Sequence, residues 1–168
     1  FSDQFGRAVP AGQPYRFVFE CFETKFDWNV QFFNLTEALG KVIQAWDKSP
    51  LPLGEALGQA PVAEKTVRDL YFAWWGSPAE GVQADNFATI STATFDIAPG
   101  RYVLELTSDD GARLYLDGKR LINHWDVHEP VVDEIEVTLG GRHTLLIEHF
   151  EAGGFSTLDF RVRAIHEK

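Results

Sequence analysis

Asp109 and Asp110 stand side by side in TSDDGARLYLDG, residues 107–118, with no basic residue before Arg113. Adjacent carboxylates repel, and either water dilutes that repulsion or a cation removes it. Two readings are open. Asp accepts local backbone hydrogen bonds and Gly111 supplies a reversal, so SDDG reads as a turn. The pair also reads as a fragment of a hard-cation site, because calcium takes about six to eight oxygen ligands and carboxylates supply them. A second constellation is His124 and His128 in NHWDVHEP. Their spacing suits two ligands on one helix face, but Trp125, Val127 and Pro130, set between strand patterns, do not make a helix. Residue 125 is also Trp where the zinc-protease pattern HExxH has Glu. The segment therefore reads as loop packing and hydrogen bonding rather than a zinc site. Carboxylate pairs such as Asp85 with Glu148 are a third candidate, for glycoside hydrolysis, which needs two carboxyls at a set separation across a cleft. Solvated strand faces are the simpler reading of these acids. No nucleophile elbow, phosphate-binding glycine loop or dinucleotide fingerprint occurs. Trp74-Trp75 could stack on a sugar ring. Neighbours in a strand point to opposite faces, so at least one of the two belongs to the core.

The elements that must carry these groups are strands. In RYVLELTS, Tyr102, Leu104 and Leu106 share one face and Arg101, Val103, Glu105 and Thr107 the other. ARLYL and KRLIN flank Asp117-Gly118, a two-residue hairpin signal, because both turn positions favour positive φ. DEIEVTL, HTLLIEHF and STLDFRVRAI continue the alternation, punctuated by Pro99-Gly100, Gly140-Gly141 and Gly153-Gly154. Towards the N-terminus YRFVFECF, WNVQFF and TVRDLYFAWW read as strands. NLTEALGKVIQAW reads as one helical turn, weakened by Gly40, and SPLPLGEALGQAP reads as a surface loop. Short turns and no strong helical pattern predict an all-β, antiparallel β-sandwich or barrel.

With 168 residues the chain is one ordinary domain, and 45% hydrophobic residues with 14% aromatic give it a core. The net charge of −10 argues against nucleic acid, which demands a basic footprint, and against an anionic membrane surface. It is compatible with cation binding. A single cysteine, Cys21, excludes an intrachain disulfide and a cysteine-based zinc site. No window is long and apolar enough for membrane insertion. The absence of methionine and of a signal peptide reads as a piece of a longer protein.

The run WGSP (75–78), ADNF (84–87), PGRYVLELTSDDGARLYLDGKRLINHW (99–125) and GGRHTLLIEHFEAGG (140–154) resembles a PA14 domain, strongly over about residues 69–163 and more weakly back to WNVQFFN. On this resemblance residues 26–168 form a PA14-like domain and residues 1–25 an N-terminal extension. The resemblance implies a twisted antiparallel β-sandwich of PA14 type, and a mostly non-catalytic module of secreted glycosidases, adhesins, toxins and other surface proteins. It implies an extracellular or cell-surface location, with neighbouring domains of a larger protein as partners. In the sugar-binding branch two adjacent aspartates, joined by a cis peptide, chelate calcium, and sugar hydroxyls complete the shell. A second loop supplies an Asn side chain and two backbone carbonyls. Carried over, the metal ligands are Asp109, Asp110, Glu151, Gly153 and Phe155, and the ligand-contacting residues are Asp109, Asp110, Gly154 and Trp125. Glu151 in place of the amide, and ISTATF at 90–95, depart from the pattern. The added carboxylate favours calcium but crowds the position that a sugar hydroxyl needs. The expected function is a calcium-dependent, lectin-like glycan or polysaccharide binder, not an enzyme. Its rival is a structural module without sugar binding.

Overall fold

The computed structural model describes residues 26–45 and 52–165. The expected strand YRFVFECF, with Cys21 and the rest of the extension over residues 1–25, lies outside the described residues. Eight strands and two short helices follow in the order β1 (Trp28–Asn34), α1 (Glu37–Gln44), α2 (Leu53–Leu57), β2 (Ala63–Val67), β3 (Tyr71–Trp75), β4 (Phe87–Asp109), β5 (Ala112–Leu116), β6 (Lys119–His124), β7 (Val131–Glu151) and β8 (Phe155–Ile165). All pairings are antiparallel. Neither described helix is long and apolar enough to cross a membrane.

The long strands β4 and β7 form the spine. They pair from Phe87↔Glu151 to Ser108↔Val131, with one register shift between Ile97 and Gly100. The sequence expected strand ends at Pro99-Gly100 and Gly140-Gly141. Instead the two motifs face each other across the ribbon and bend it. A side chain at Gly140 would lie 3.0 Å from the Pro99 Cα, and Gly141 has φ +89. Strands that turn a corner through such an irregularity pass from one layer to the other. The N-terminal half of β4 pairs with β1, and the C-terminal half of β7 with β5, in the first layer. The C-terminal half of β4 pairs with β8, which pairs with β3, in the second layer.

The alternation read from sequence decides what lies between the layers. Trp28, Val30, Phe32, Leu104, Leu106, Leu114, Ile147, Leu158, Phe160 and Val162 belong to one buried cluster. Rings close across it: Trp28 meets Phe160 edge-on at 5.5 Å, and Trp74 meets Phe32 at 6.0 Å and Phe87 at 5.7 Å. ISTATF is an ordinary stretch of β4, with Ser91, Ala93 and Phe95 buried. The Asp117-Gly118 hairpin has the expected positive φ at both positions, +50 and +78.

The sequence reading needs three further corrections. TVRDLYFAWW is two strands, β2 and β3, interrupted at residues 68–70. NLTEALGKVIQAW forms eight helical residues, capped by Thr36, whose hydroxyl accepts from Leu39 N, and braced by Glu37 and Lys41 at 2.7 Å. Gly40 does not break this helix; it lets it approach Asn86, whose Oδ1 would lie 3.1 Å from an added Cβ. The supposed surface loop contains α2, closed by Gly58 in the left-handed region. Leu53 and Leu57 fall four residues apart on one helix face. They are buried with Phe33, Leu35, Ile43, Trp125 and Phe150 in a second core on the outer side of the first layer.

Candidate functional site

The strand ends place the chemistry. Asp109 closes β4 in the second layer, Glu151 closes β7 in the first, and the short β7–β8 loop carries Gly153 and Gly154 to Phe155. The peptide bond between Asp109 and Asp110 is cis, as the resemblance implied. Ligand oxygens of Asp109, Asp110 and Glu151 lie within 4.8 Å of one another, and all three side chains are buried. Three successive backbone N–H groups hold the acids around the loop. Ala152 donates to Asp110 Oδ2 at 2.8 Å, Gly153 to Glu151 Oε1 at 2.7 Å and Gly154 to Asp85 Oδ1 at 3.0 Å. Gly154 has φ +108, where a side chain is strained. Asp110 Oδ1 accepts from His128 N at 3.0 Å.

Glu151 Oε2 is buried with no hydrogen-bond partner among the described residues. The Ser156 hydroxyl interacts with this carboxylate, but its single proton goes to the Asp109 carbonyl at 3.0 Å. Burial and then the charges of Asp110 and Asp109 raise Glu151 from 4.5 to about 7. Burial and the Asp110 charge raise Asp109 from 3.8 to about 6. Burial also raises Asp110, against the lowering effect of the Ala152 and His128 N–H groups. Three oxygen donors, one of them an orphan, with mutual repulsion fit a hard divalent cation.

The backbone of the pair is fixed from below by His149, which sequence reasoning passed over. Its Nε2 lies 3.1 Å from the Asp109 carbonyl and its Nδ1 3.5 Å from Thr89 Oγ1. Facing a carbonyl, Nε2 carries the proton. Burial lowers His149 to about 4, so the ring is neutral near pH 7. The available signal was positional: His149 shares the inward face of β7 with Leu145 and Ile147, a polar ring on an apolar face. Gly111 is required by packing, since an added Cβ would strike the Phe150 ring and lie 3.1 Å from Asp126 N.

Trp125 does not fit the ligand-contacting role expected of it. It is 3% exposed, donates through Nε1 to the Ile43 carbonyl at 2.7 Å, packs edge-on against Phe150 and lies 4.2 Å under the Arg113 guanidinium. The second core needs its indole, so no face is free for a sugar. The Asp85–Glu148 pair does not assemble either. Asp85 caps the β7–β8 loop, whereas Glu148 is buried on the outer side of the first layer, accepting from Leu53 N and Tyr115 OH and facing Arg113. Of the tryptophan pair, Trp74 packs against the core and Trp75 is 84% exposed.

Of that pair, Trp75 is the one that the structure brings to the site region. It pairs with Phe155, and their rings lie 5.0 Å apart. Asp109 pairs with Thr157, two residues along β8 from Phe155. Directly paired antiparallel residues, and residues two apart on a strand, share a face. Trp75, Phe155 and Asp109 therefore lie on one face, with β3 about 10 Å from β4 at two strand spacings.

No curated protein matches the sequence. Among solved structures, an anti-sigma factor domain-containing protein superposes with a TM-score of 0.67 at 14% identity, over 86% of this chain and 44% of its own length. The PA14 sugar-binding domain from an RTX adhesin gives 0.59 at 14% identity, over 84% of this chain and 91% of that domain. The Epithelial Adhesin 6 A domain from Candida glabrata, solved in complex with Galb1-3GlcNAc, gives 0.55 at 11% identity, over 88% and 84% of the two chains. At these identities the likeness is one of fold. The chain thus spans less than half of the first of these proteins. The PA14 domain family matches residues 53–165, more than half of the sequence, and the chain belongs to that family.

Proposed function

We propose that this domain is a non-catalytic, calcium-dependent carbohydrate-binding module of an extracellular or cell-surface protein. The observation that carries the reading is the buried trio of Asp109, Asp110 and Glu151, with Glu151 Oε2 left without a donor. Calcium would be held by these carboxylates, with backbone carbonyls of Gly153 and Phe155 as further ligands, and would supply open positions for vicinal sugar hydroxyls. The chain's own contribution is to hold the acids together. The loop N–H groups orient one oxygen of Asp110 and one of Glu151, and His149 and Ser156 pin the Asp109 carbonyl. Gly154, which cannot carry a side chain without strain, keeps the approach open beside them. Glu151 brings the charge that favours the metal, and the exposed Trp75, with half-buried Phe155 beside it, supplies an apolar wall for a sugar ring. The sugar-binding adhesin domain and the adhesin solved with a disaccharide support glycan as the ligand class and the cell surface as the setting.

The test is calcium titration with thermal unfolding, followed by a glycan array with and without EDTA. Calcium stabilisation together with EDTA-sensitive glycan binding is expected; no stabilisation and no such binding would sink the reading. A second reading is docking of a neighbouring domain. It is favoured by β3, which pairs only with β8 among the described strands and exposes Tyr71 and Trp75 at 65% and 84%. Under that reading Trp75→Ala abolishes capture of the adjoining domain and leaves glycan binding untouched.

A further inference from the structure

The His124–His128 segment, set aside in the sequence because it is not a helix, carries an inference that does not depend on the calcium reading. β6 ends at His124, and the loop that follows brings His124, Asp126 and His128 together, with one ligand atom from each within 4.8 Å of the others. The loop, which bends at Asp126, does this without a helix. The imidazole centroids are 4.2 Å apart.

The hydrogen bonds decide which ring atoms are available. His128 Nδ1 faces the Glu129 carbonyl at 2.8 Å. A carbonyl only accepts, so Nδ1 carries the proton and Nε2 keeps its lone pair. That Nε2 is buried and has no hydrogen-bond partner among the described residues. His124 Nδ1 faces the Asp133 carboxylate at 2.9 Å, and its Nε2 lies 3.4 Å from Asp126 Oδ1. With Nδ1 donating to Asp133, Nε2 is the ring atom turned towards the Asp126 carboxylate. This is the arrangement found around metal-bound histidine, in which the other ring nitrogen donates to a carboxylate or a backbone carbonyl that fixes the ring. Imidazole nitrogens favour borderline transition ions over calcium.

We propose that His124 Nε2, His128 Nε2 and the Asp126 carboxylate form a binding site for a zinc-class divalent ion, with Asp133 and the Glu129 carbonyl orienting the two rings. Three protein ligands leave a coordination position for water. The site is separate in ligands from the Asp109, Asp110 and Glu151 trio but adjoins it, since His128 N also holds Asp110 Oδ1.

The experiment is zinc titration of the EDTA-stripped chain by calorimetry, alongside ¹⁵N imidazole spectra. One equivalent of zinc is expected, with the Nε2 resonances of His124 and His128 shifted and the other histidines unchanged. His124→Gln or His128→Gln should remove that equivalent. Asp133→Asn should weaken it about 10- to 100-fold. Glu151→Gln should retain it. The spectra on the unaltered chain decide the matter even where a histidine variant folds poorly. No zinc uptake would overturn the proposal. So would zinc that persists in both histidine variants, or zinc that leaves the two Nε2 resonances unmoved.

Discussion

Glu151→Gln is expected to stabilise the metal-free protein above neutral pH and to blunt its response to calcium. The folded chain holds Glu151 against Asp109 and Asp110 in a buried cluster and raises it from 4.5 to about 7. Proton counting gives the sign. Below about pH 4.5 Glu151 is protonated in folded and unfolded chains alike, and nothing is lost. As pH rises from 4.5 to about 7, the unfolded chain releases a proton that the folded chain keeps, so stability falls. Above that range the penalty is complete. At about 1.4 kcal/mol per tenfold change in proton affinity, the shift amounts to about 3 kcal/mol before relaxation and solvent screening reduce it. A gain of roughly 1–3 kcal/mol at pH 8 is therefore expected, which is several degrees in Tm at about 2–4 °C per kcal/mol for a chain of this size. At pH 4 the variant and the parent should melt together. His149 acts with the opposite sign. It is held at about 4 rather than 6.5, so its contribution is lost as pH falls through that window. Both proteins share it, and it cancels in the difference. The assay is thermal unfolding from pH 4 to pH 8 in EDTA, repeated with excess calcium. A ligand at a hundredfold excess over Kd adds about 2.7 kcal/mol, enough to reverse the order of the two proteins. Equal melting at pH 8 in EDTA would refute the repulsion argument. Equal calcium shifts would refute Glu151 as a ligand.

Trp75→Ala should change stability little, because the ring is 84% exposed, and should weaken glycan binding roughly 2- to 10-fold at unchanged calcium affinity. Calorimetry with each ligand checks both halves. Gly111→Ala should destabilise by about 1–3 kcal/mol in urea denaturation, because its Cβ meets the Phe150 ring and the Asp126 backbone. His149→Phe should lose about 1–3 kcal/mol near neutral pH by taking a donor from the buried Asp109 carbonyl, and should remove the decline in stability from pH 6.5 to about 4. Unfolding curves across that range, with calcium affinity measured in parallel, test the role of His149 in holding the pair.

Period-two alternation carried most of the fold because each strand buries one face against a partner layer. Tyr102, Leu104 and Leu106 on β4, and Leu158, Phe160 and Val162 on β8, fell on the buried side as read. The lengths of β4 and β7 were hidden. Pro99-Gly100 and Gly140-Gly141 look like turns one at a time, and only their pairing across the ribbon makes them a bend. The second core was hidden for a related reason. Alternation assigns one wet face to the first layer, yet Phe33, Phe150 and Arg113 lie buried on that outer side beneath Trp125 and two helices. Those helices are too short to announce themselves, and α2 buries only Leu53 and Leu57, with Ala56 half-buried beside them. That is why nothing in the sequence signalled that Trp125 is taken up by this core and not by a ligand. Of the site, Asp109, Asp110 and Glu151 were legible through motif resemblance. His149 was not, and Trp75 was singled out only as one of an adjacent pair, since their roles depend on register between strands distant in sequence.

The bend in the spine also explains why the acids converge. In a flat sheet the paired ends of β4 and β7 would keep Asp109 and Glu151 a full ribbon length apart, because Glu151 pairs with Phe87 and Asp109 lies at the other end of the same strand. Twenty-three residues of β4 separate those ends, about 75 Å if straight at about 3.3 Å per residue. Folding the ribbon at Pro99-Gly100 brings its two ends to one pole of the sandwich, one in each layer, so that carboxylates on opposite layers come within 4.8 Å. Repulsion within the trio therefore pushes the layers apart at that pole, and a cation there would join them. Binding energy at the site would for this reason be coupled to the closure of the whole sandwich rather than to a loop. Calcium should then slow global unfolding, protecting amides in β4 and β7 that lie far from the site, and not merely the β7–β8 loop.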